Sequence, residues 1–149
     1  MAVATSQLLR GLDEVEDRLD RLGDAADDLR PVWPQIGRLW TNRQHTVFAS
    51  NGLGRWAPPA AVTLRTHQST LVDTGVMRAG LDDAAPIWSR KKGAAWGGDR
   101  GDQRVYNIAV FHAYGTNRMP KRLPVPPLRA AERKAWIGLV GKHLKKAIG

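Results

Sequence analysis

The amino-acid sequence predicts an α+β fold in which a small antiparallel β-sheet lies between a long N-terminal helix and a long C-terminal helix. Three observations point there. Residues 1–30 hold a heptad spacing of apolar side chains, and residues 128–148 carry a second helical spacing that ends in lysines. Between them, residues 86–107 break into short apolar runs separated by glycine-rich stretches, the pattern of a hairpin with a basic loop. The 149 residues show no internal repeat and no linker, and they fit a single domain, for which about 100–200 residues is usual.

In the first segment Leu8, Leu12, Val15, Leu19, Leu22, Ala26 and Leu29 are spaced 4, 3, 4, 3, 4, 3, with Asp, Glu and Arg filling most positions between. Ser6 is placed to cap this helix, and Pro31 and Pro34 stop it, because proline has no N–H to continue the ladder. The stripe has two readings: a helix packed on its own domain, or a seam against a neighbouring subunit. Ile36, Leu39, Trp40, Val47 and Phe48 form a second helical face from Pro34 to Ala49. Ser50-Asn51-Gly52 supplies a turn, since Asn and Gly tolerate positive φ. Residues 54–59 read as an irregular loop plugged by Trp56, and Ala60 to Gln68 as a short helix. Asp73 or Thr74 would cap a helix running to Leu81.

From Pro86 the chemistry changes. Pro86 to Ser89 reads as a strand, Arg104-Val105-Tyr106 as its returning partner, and the basic and glycine-rich residues between as a flexible tip. Ile108 to Tyr114 is an apolar helix stopped by Gly115. Four prolines between Met119 and Pro127 require an extended segment. The last helix, Leu128 to Ile148, gathers Trp136, Ile137, Val140, Leu144 and Ile148 near one face, with Lys142, Lys145 and Lys146 in its final turns.

Composition excludes several chemistries. With no cysteine there is no disulfide, zinc–thiolate site or cysteine nucleophile, which suits a reducing compartment. Met1 to Leu12 lacks the basic-then-apolar order of a signal peptide, and no run of 18 apolar residues suggests a membrane span, so a soluble cytosolic product is expected. His45, His67, His112 and His143 show no metal-ligand spacing. His112, inside an apolar run, reads as a hydrogen-bonded structural residue rather than a general base. Gly93 to Gly98 lacks the Gly-Lys-Ser/Thr of a phosphate loop, and Gly52-Leu53-Gly54 lacks the third glycine of a dinucleotide fingerprint. Asp82-Asp83 reads as helix-end solvation. No G-x-S-x-G context supports a serine nucleophile. The expectation is therefore a protein with no catalytic residues, no cofactor and no metal.

Charge is the stronger signal. The net charge is +9, yet residues 1–30 carry eight acids against four arginines, leaving the body +13. The acidic helix and basic body attract each other within or between subunits, or the basic body faces a polyanion. Asp17, Asp20 and Asp24 are the candidate interface acids. Arg90, Lys91, Lys92 and Arg100, interleaved with Trp88 and Trp96, form a candidate loop for DNA or for docking another protein. Six tryptophans are suited to anchoring core or interface contacts.

Several fragments then align in order. Gly54-Arg55-Trp56-Ala57-Pro58 precedes Leu71-Val72-Asp73-Thr74-Gly75-Val76-Met77-Arg78-Ala79-Gly80-Leu81. His112-Ala113-Tyr114-Gly115-Thr116 and Met119-Pro120-Lys121-Arg122-Leu123-Pro124 follow. Over residues 48–130 this order resembles the phage virion morphogenesis and tail-completion family, head–tail joining proteins of long-tailed phages. Met77 and Gly80 stand where members often have Leu and Ser, and the closing motif lacks the family's Pro-Ala-Arg-Pro-Phe. The resemblance implies a structural subunit forming a ring, with six copies expected, around the DNA path. It implies contacts with neighbouring neck proteins and a tail terminator or tail tube, within the virion, after assembly in the host cytoplasm. It also implies structural roles for Trp56, Asp73, Thr74, Gly75, His112, Gly115 and Pro120. The alternative from another class is nonspecific DNA binding by the basic loop.

Overall fold

Proline sets the first two boundaries of the chain. The computed structural model describes residues 2–58, 76–83, 86, 88–96, 103–117 and 120–149. Helix α1 (Ala2–Asp27) runs straight through Ser6, which is therefore not its cap. A single 3₁₀ turn, Arg30–Val32, follows with Pro31 in its first positions, and α2 (Trp33–Ala49) starts at once with Pro34 in its first turn. Proline suits both places, because the first N–H groups of a helix have no intrahelical partner to lose.

Beyond α2 the backbone turns left-handed: Asn51, Gly52, Leu53 and Gly54 have φ of 48, 70, 62 and 75°. Ser50 steadies the turn, its Oγ accepting from Leu53 N at 3.1 Å and donating to Thr46 O at 2.6 Å. Helix α3 (Val76–Asp82), strands β1 (Trp88–Arg90) and β2 (Gly93–Ala95), α4 (Gln103–Tyr114) and α5 (Ala130–Ala147) complete the described elements. Gly115, at φ 76°, closes α4 as expected, its N–H bonding Phe111 O at 2.9 Å. The expected helix at residues 60–68 and the caps Asp73 and Thr74, with Gly75, lie outside the described residues.

The chain is mostly helical with one two-stranded antiparallel sheet, compatible with the α+β expectation. Two details are corrected. The hairpin is smaller than residues 86–107: Trp88 pairs with Ala95 and Arg90 with Gly93 across a turn of Lys91-Lys92. Arg104, Val105 and Tyr106 belong to the start of α4, not to a returning strand. The second correction concerns the centre, which is α2 and not the sheet. β1 is exposed and β2 only half-buried.

Both core clusters hang on α2. Its first half places Val32, Trp33 and Ile36 against Leu29, Ala94, Trp96, Trp136, Leu139 and Val140. Trp96 meets Trp33 and Trp136 edge-on, with ring centroids 6.2 and 6.4 Å apart, and so joins α2, the hairpin and α5. Its second half packs Val47 and Phe48 with Trp56, Met77 and Leu81. Each such side chain contributes about 1.5–3 kcal/mol by leaving water. On α5 the half-buried stripe includes Trp136, Leu139, Val140 and His143; Ile137, expected on that face, is 71% exposed.

Candidate interaction surfaces

Between the two clusters the buried face of α2 carries polar residues. Arg43 and Gln44 follow Trp40 by three and four residues on that face, and all three are buried. Trp40 Nε1 donates to Leu81 O at 2.6 Å, tying α3 to α2. Arg43 donates to the carbonyls of Pro126 and Pro127, the latter at 3.1 Å, and its Nε stands 3.3 Å from a Glu132 oxygen. Glu132 also accepts from Arg129 N at 2.6 Å, so one carboxylate caps α5 and neutralises a buried guanidinium. The Gln44 amide, oriented to satisfy both ends, donates to Pro124 O and accepts from Arg43, each at 3.3 Å.

These donors explain why a proline-rich strap can lie flat on the protein. Extended proline backbone forms no internal hydrogen bonds, so its buried carbonyls need outside donors. Along residues 120–127 exposure alternates: Arg122, Pro124 and Pro126 are buried, while Lys121, Leu123, Val125 and Pro127 are not. Trp56 Nε1 donates to Leu123 O at 2.9 Å. Arg122 reaches the other way, to Ala57 O at 3.0 Å and Pro58 O at 2.9 Å, and its own N–H bonds His112 O at 2.7 Å.

Three of the four motif segments therefore converge on Arg122. Trp56, 8% exposed and edge-on to Phe48 at 5.5 Å, is the plug that the sequence suggested. Gly52 lies beneath it, and a Cβ there would stand 2.2 Å from the indole ring. Met77 is 4% exposed and fills the same cluster. Pro120 is exposed at the head of the strap. The Nδ1 of His112 is buried without a hydrogen-bond partner. Burial, then the nearby Arg122 charge, hold its pKa below the usual histidine value of 6.5. Arg43, Gln44, Arg122 and Glu132 were not singled out in the sequence. The signal was present, because positions 43 and 44 fall on the apolar stripe set by Ile36, Trp40 and Val47.

The basic loop is less free than expected. Leu29 N donates to Lys91 O at 2.7 Å and Trp33 Nε1 to Arg90 O at 2.9 Å, fixing the turn to the α1–α2 junction. Lys92 pairs with Asp27, whose pKa is lowered by that hydrogen bond and charge. Asp28 is held down to about 2 by its hydrogen bonds from Arg30. Arg90 and Lys91 remain exposed, with the Arg90 guanidinium 6.0 Å from the Trp88 ring centre. Arg100 lies outside the described residues. The larger exposed basic surface is on α5, where Arg133, Lys134, Lys142, Lys145 and Lys146 all face solvent.

Asp17, Asp20 and Asp24 are exposed, and every residue from Leu12 to Arg21 is exposed with them. The C-terminal end of α1 meets the body, where His143 Nε2 lies 3.1 Å from the carbonyl oxygens of Ala25 and Asp28. Among the described residues no group of three or more His, Cys, Asp or Glu side chains is arranged to hold a metal. No described helix is long and apolar enough to cross a membrane. No family model matches the chain, and neither a curated protein nor a solved structure matches it.

Proposed function

We propose that the chain is a structural virion protein, a tail-completion or head–tail connector subunit that assembles into a ring joining a phage tail to its head around the DNA channel. The observation that carries this reading is the convergence at Arg122. Segments around Trp56, His112 and Pro120–Pro124 resemble an assembly family only as an ordered set, and here they meet through main-chain carbonyl contacts. Their roles at this site are to fix a strap and plug a core, with no nucleophile or paired acid and base. In this reading the protein resides in the neck of the virion, after assembly in the host cytoplasm. Its partners are copies of itself, the neighbouring neck proteins and the tail terminator or tail tube.

A ring needs two different complementary patches on each subunit, and the acidic α1 and basic α5 provide opposite charges for them. The test is to purify assembled particles and to delete the coding sequence. Presence of the chain at a fixed copy number, and unjoined heads and tails without it, is the expected result. Its absence from particles refutes the proposal.

The exposed bases of α5, with Arg90 and Lys91, favour a second reading, nonspecific DNA binding. Its signature is log K falling with log salt at a slope of about −0.9 per phosphate neutralised. A flat salt response removes it.

A further inference from the structure

Leu12, Val15 and Leu19 are 58, 53 and 61% exposed on a stretch of α1 whose neighbours in sequence are all exposed as well. They continue the seam that Leu22 and Leu29 bring half-buried against the body. An isolated helix of about 12–15 residues or fewer is marginal in water, and clustered exposed apolar side chains mark surfaces that another molecule covers. We propose that this half of α1 docks on the outward face of α5 in a second copy of the chain.

Charge selects that occupant. Asp13, Glu16 and Asp20 each follow one residue after an apolar position, so they form a row along one side of the stripe. All three are exposed, and no ion pair joins them among the described residues. The outward face of α5 offers the complement: Lys134, Lys142 and Lys145 around Ile137, itself 71% exposed. At 1.5 Å per residue Leu12 to Leu19 spans about 10 Å, which fits within the about 16 Å from Lys134 to Lys145.

Continuity selects it too. Within one chain the end of α1 already packs on α5 at His143, and Asp27 already pairs with Lys92. The remainder of the same acidic, apolar helix extends the same chemistry to a neighbour. Two differing patches can be satisfied by reciprocal exchange in a two-fold dimer or by each copy giving its helix to one neighbour and receiving one from another in a ring. The inference rests on the self-assembly part of the proposed function and not on the virion role.

The native chain has no cysteine, so engineered ones report cleanly. Val15→Cys and Ile137→Cys variants of the full chain, mixed and oxidised, are expected to give a covalent dimer far in excess of either variant alone. Dimer from Val15→Cys alone at equal yield shows α1 pairing with α1 and overturns the proposal. The double variant Leu12→Asp, Leu19→Asp is expected to raise the self-association Kd at least tenfold, about 1.4 kcal/mol, with an unchanged melting temperature. Self-association that survives this variant leaves assembly standing and overturns the docking. A parent that stays a 16.4 kDa monomer at all concentrations also overturns the docking, while presence in particles decides the virion role separately.

Discussion

Replacing Gly52 by alanine tests the plug under the strap, and Gly54 supplies its control. Both glycines have left-handed backbones, φ 70 and 75°, so both substitutions carry the same conformational cost, about 1–2 kcal/mol for an L-residue in that region. They differ in surroundings. A Cβ at Gly54 meets nothing within 4 Å, whereas at Gly52 it lies 2.2 Å from Cδ1 and Nε1 of Trp56. The indole must move, which costs about 1–3 kcal/mol for overpacking a closed core. Movement also breaks its hydrogen bond to Leu123 O, a further loss of roughly 0.5–1.5 kcal/mol. Gly54→Ala is thus expected to destabilise by about 1–2 kcal/mol and Gly52→Ala by about 2.5–6.5 kcal/mol. Equilibrium urea unfolding followed by far-ultraviolet circular dichroism measures both at constant m-value. If the two variants fall within about 0.5 kcal/mol of each other, the typical scatter of surface substitutions, the close approach of Trp56 to Gly52 is refuted.

Three further outcomes follow from the same contacts. Arg43→Met leaves two proline carbonyls without their donor and the Glu132 carboxylate without its ion-pair partner, and is expected to destabilise by about 3–5 kcal/mol, whereas Arg43→Met with Glu132→Gln recovers part of the loss; equal losses in urea titrations refute the pair. Because His112 has a lowered pKa, the folded chain binds its proton less well than the unfolded chain does. Stability therefore falls as pH drops below about 6.5 and levels off below the folded pKa. His112→Gln should flatten that part of the pH–stability curve, and an unaltered slope rejects the assignment. Reversing Asp17, Asp20 and Asp24 to Lys is expected to weaken self-association at least tenfold, while stability changes by only about 0.5 kcal/mol, as for surface sites. The same oligomer at physiological salt, measured by sedimentation, sinks that role for the three acids.

The long helices were legible because their signals are local. A heptad of apolar residues, two prolines and a terminal glycine act within a few residues of where they stand, and α1, α2 and α4 end close to where those residues place them. Coverage of the α1 stripe was not legible, since the pattern of Leu12, Val15 and Leu19 is the same whether or not another element lies on it. The hairpin misled for a different reason. Gly93-Ala94-Ala95 has little intrinsic strand preference, while Arg104-Val105-Tyr106 has more. What selects the shorter pairing is distant: Leu29 N and Trp33 Nε1 hold the Lys91 and Arg90 carbonyls. Arg43 and Gln44 were passed over because polar residues on an apolar stripe gain meaning only once the strap's carbonyls are beside them.

The strap along residues 120–127 is gripped by the Arg122 side chain and, beyond it, through main-chain carbonyls. Trp56, Gln44 and Arg43 bond the carbonyls of Leu123, Pro124, Pro126 and Pro127, groups that every amino acid possesses. The outward side chains at Lys121, Leu123 and Val125 take no part in that grip. Evolution is consequently at liberty to rewrite those three positions to suit whatever lies opposite, while the clasp underneath keeps its geometry. Divergence along this segment should read as alternation, with positions 121, 123 and 125 drifting and positions 122, 124 and 126 holding still.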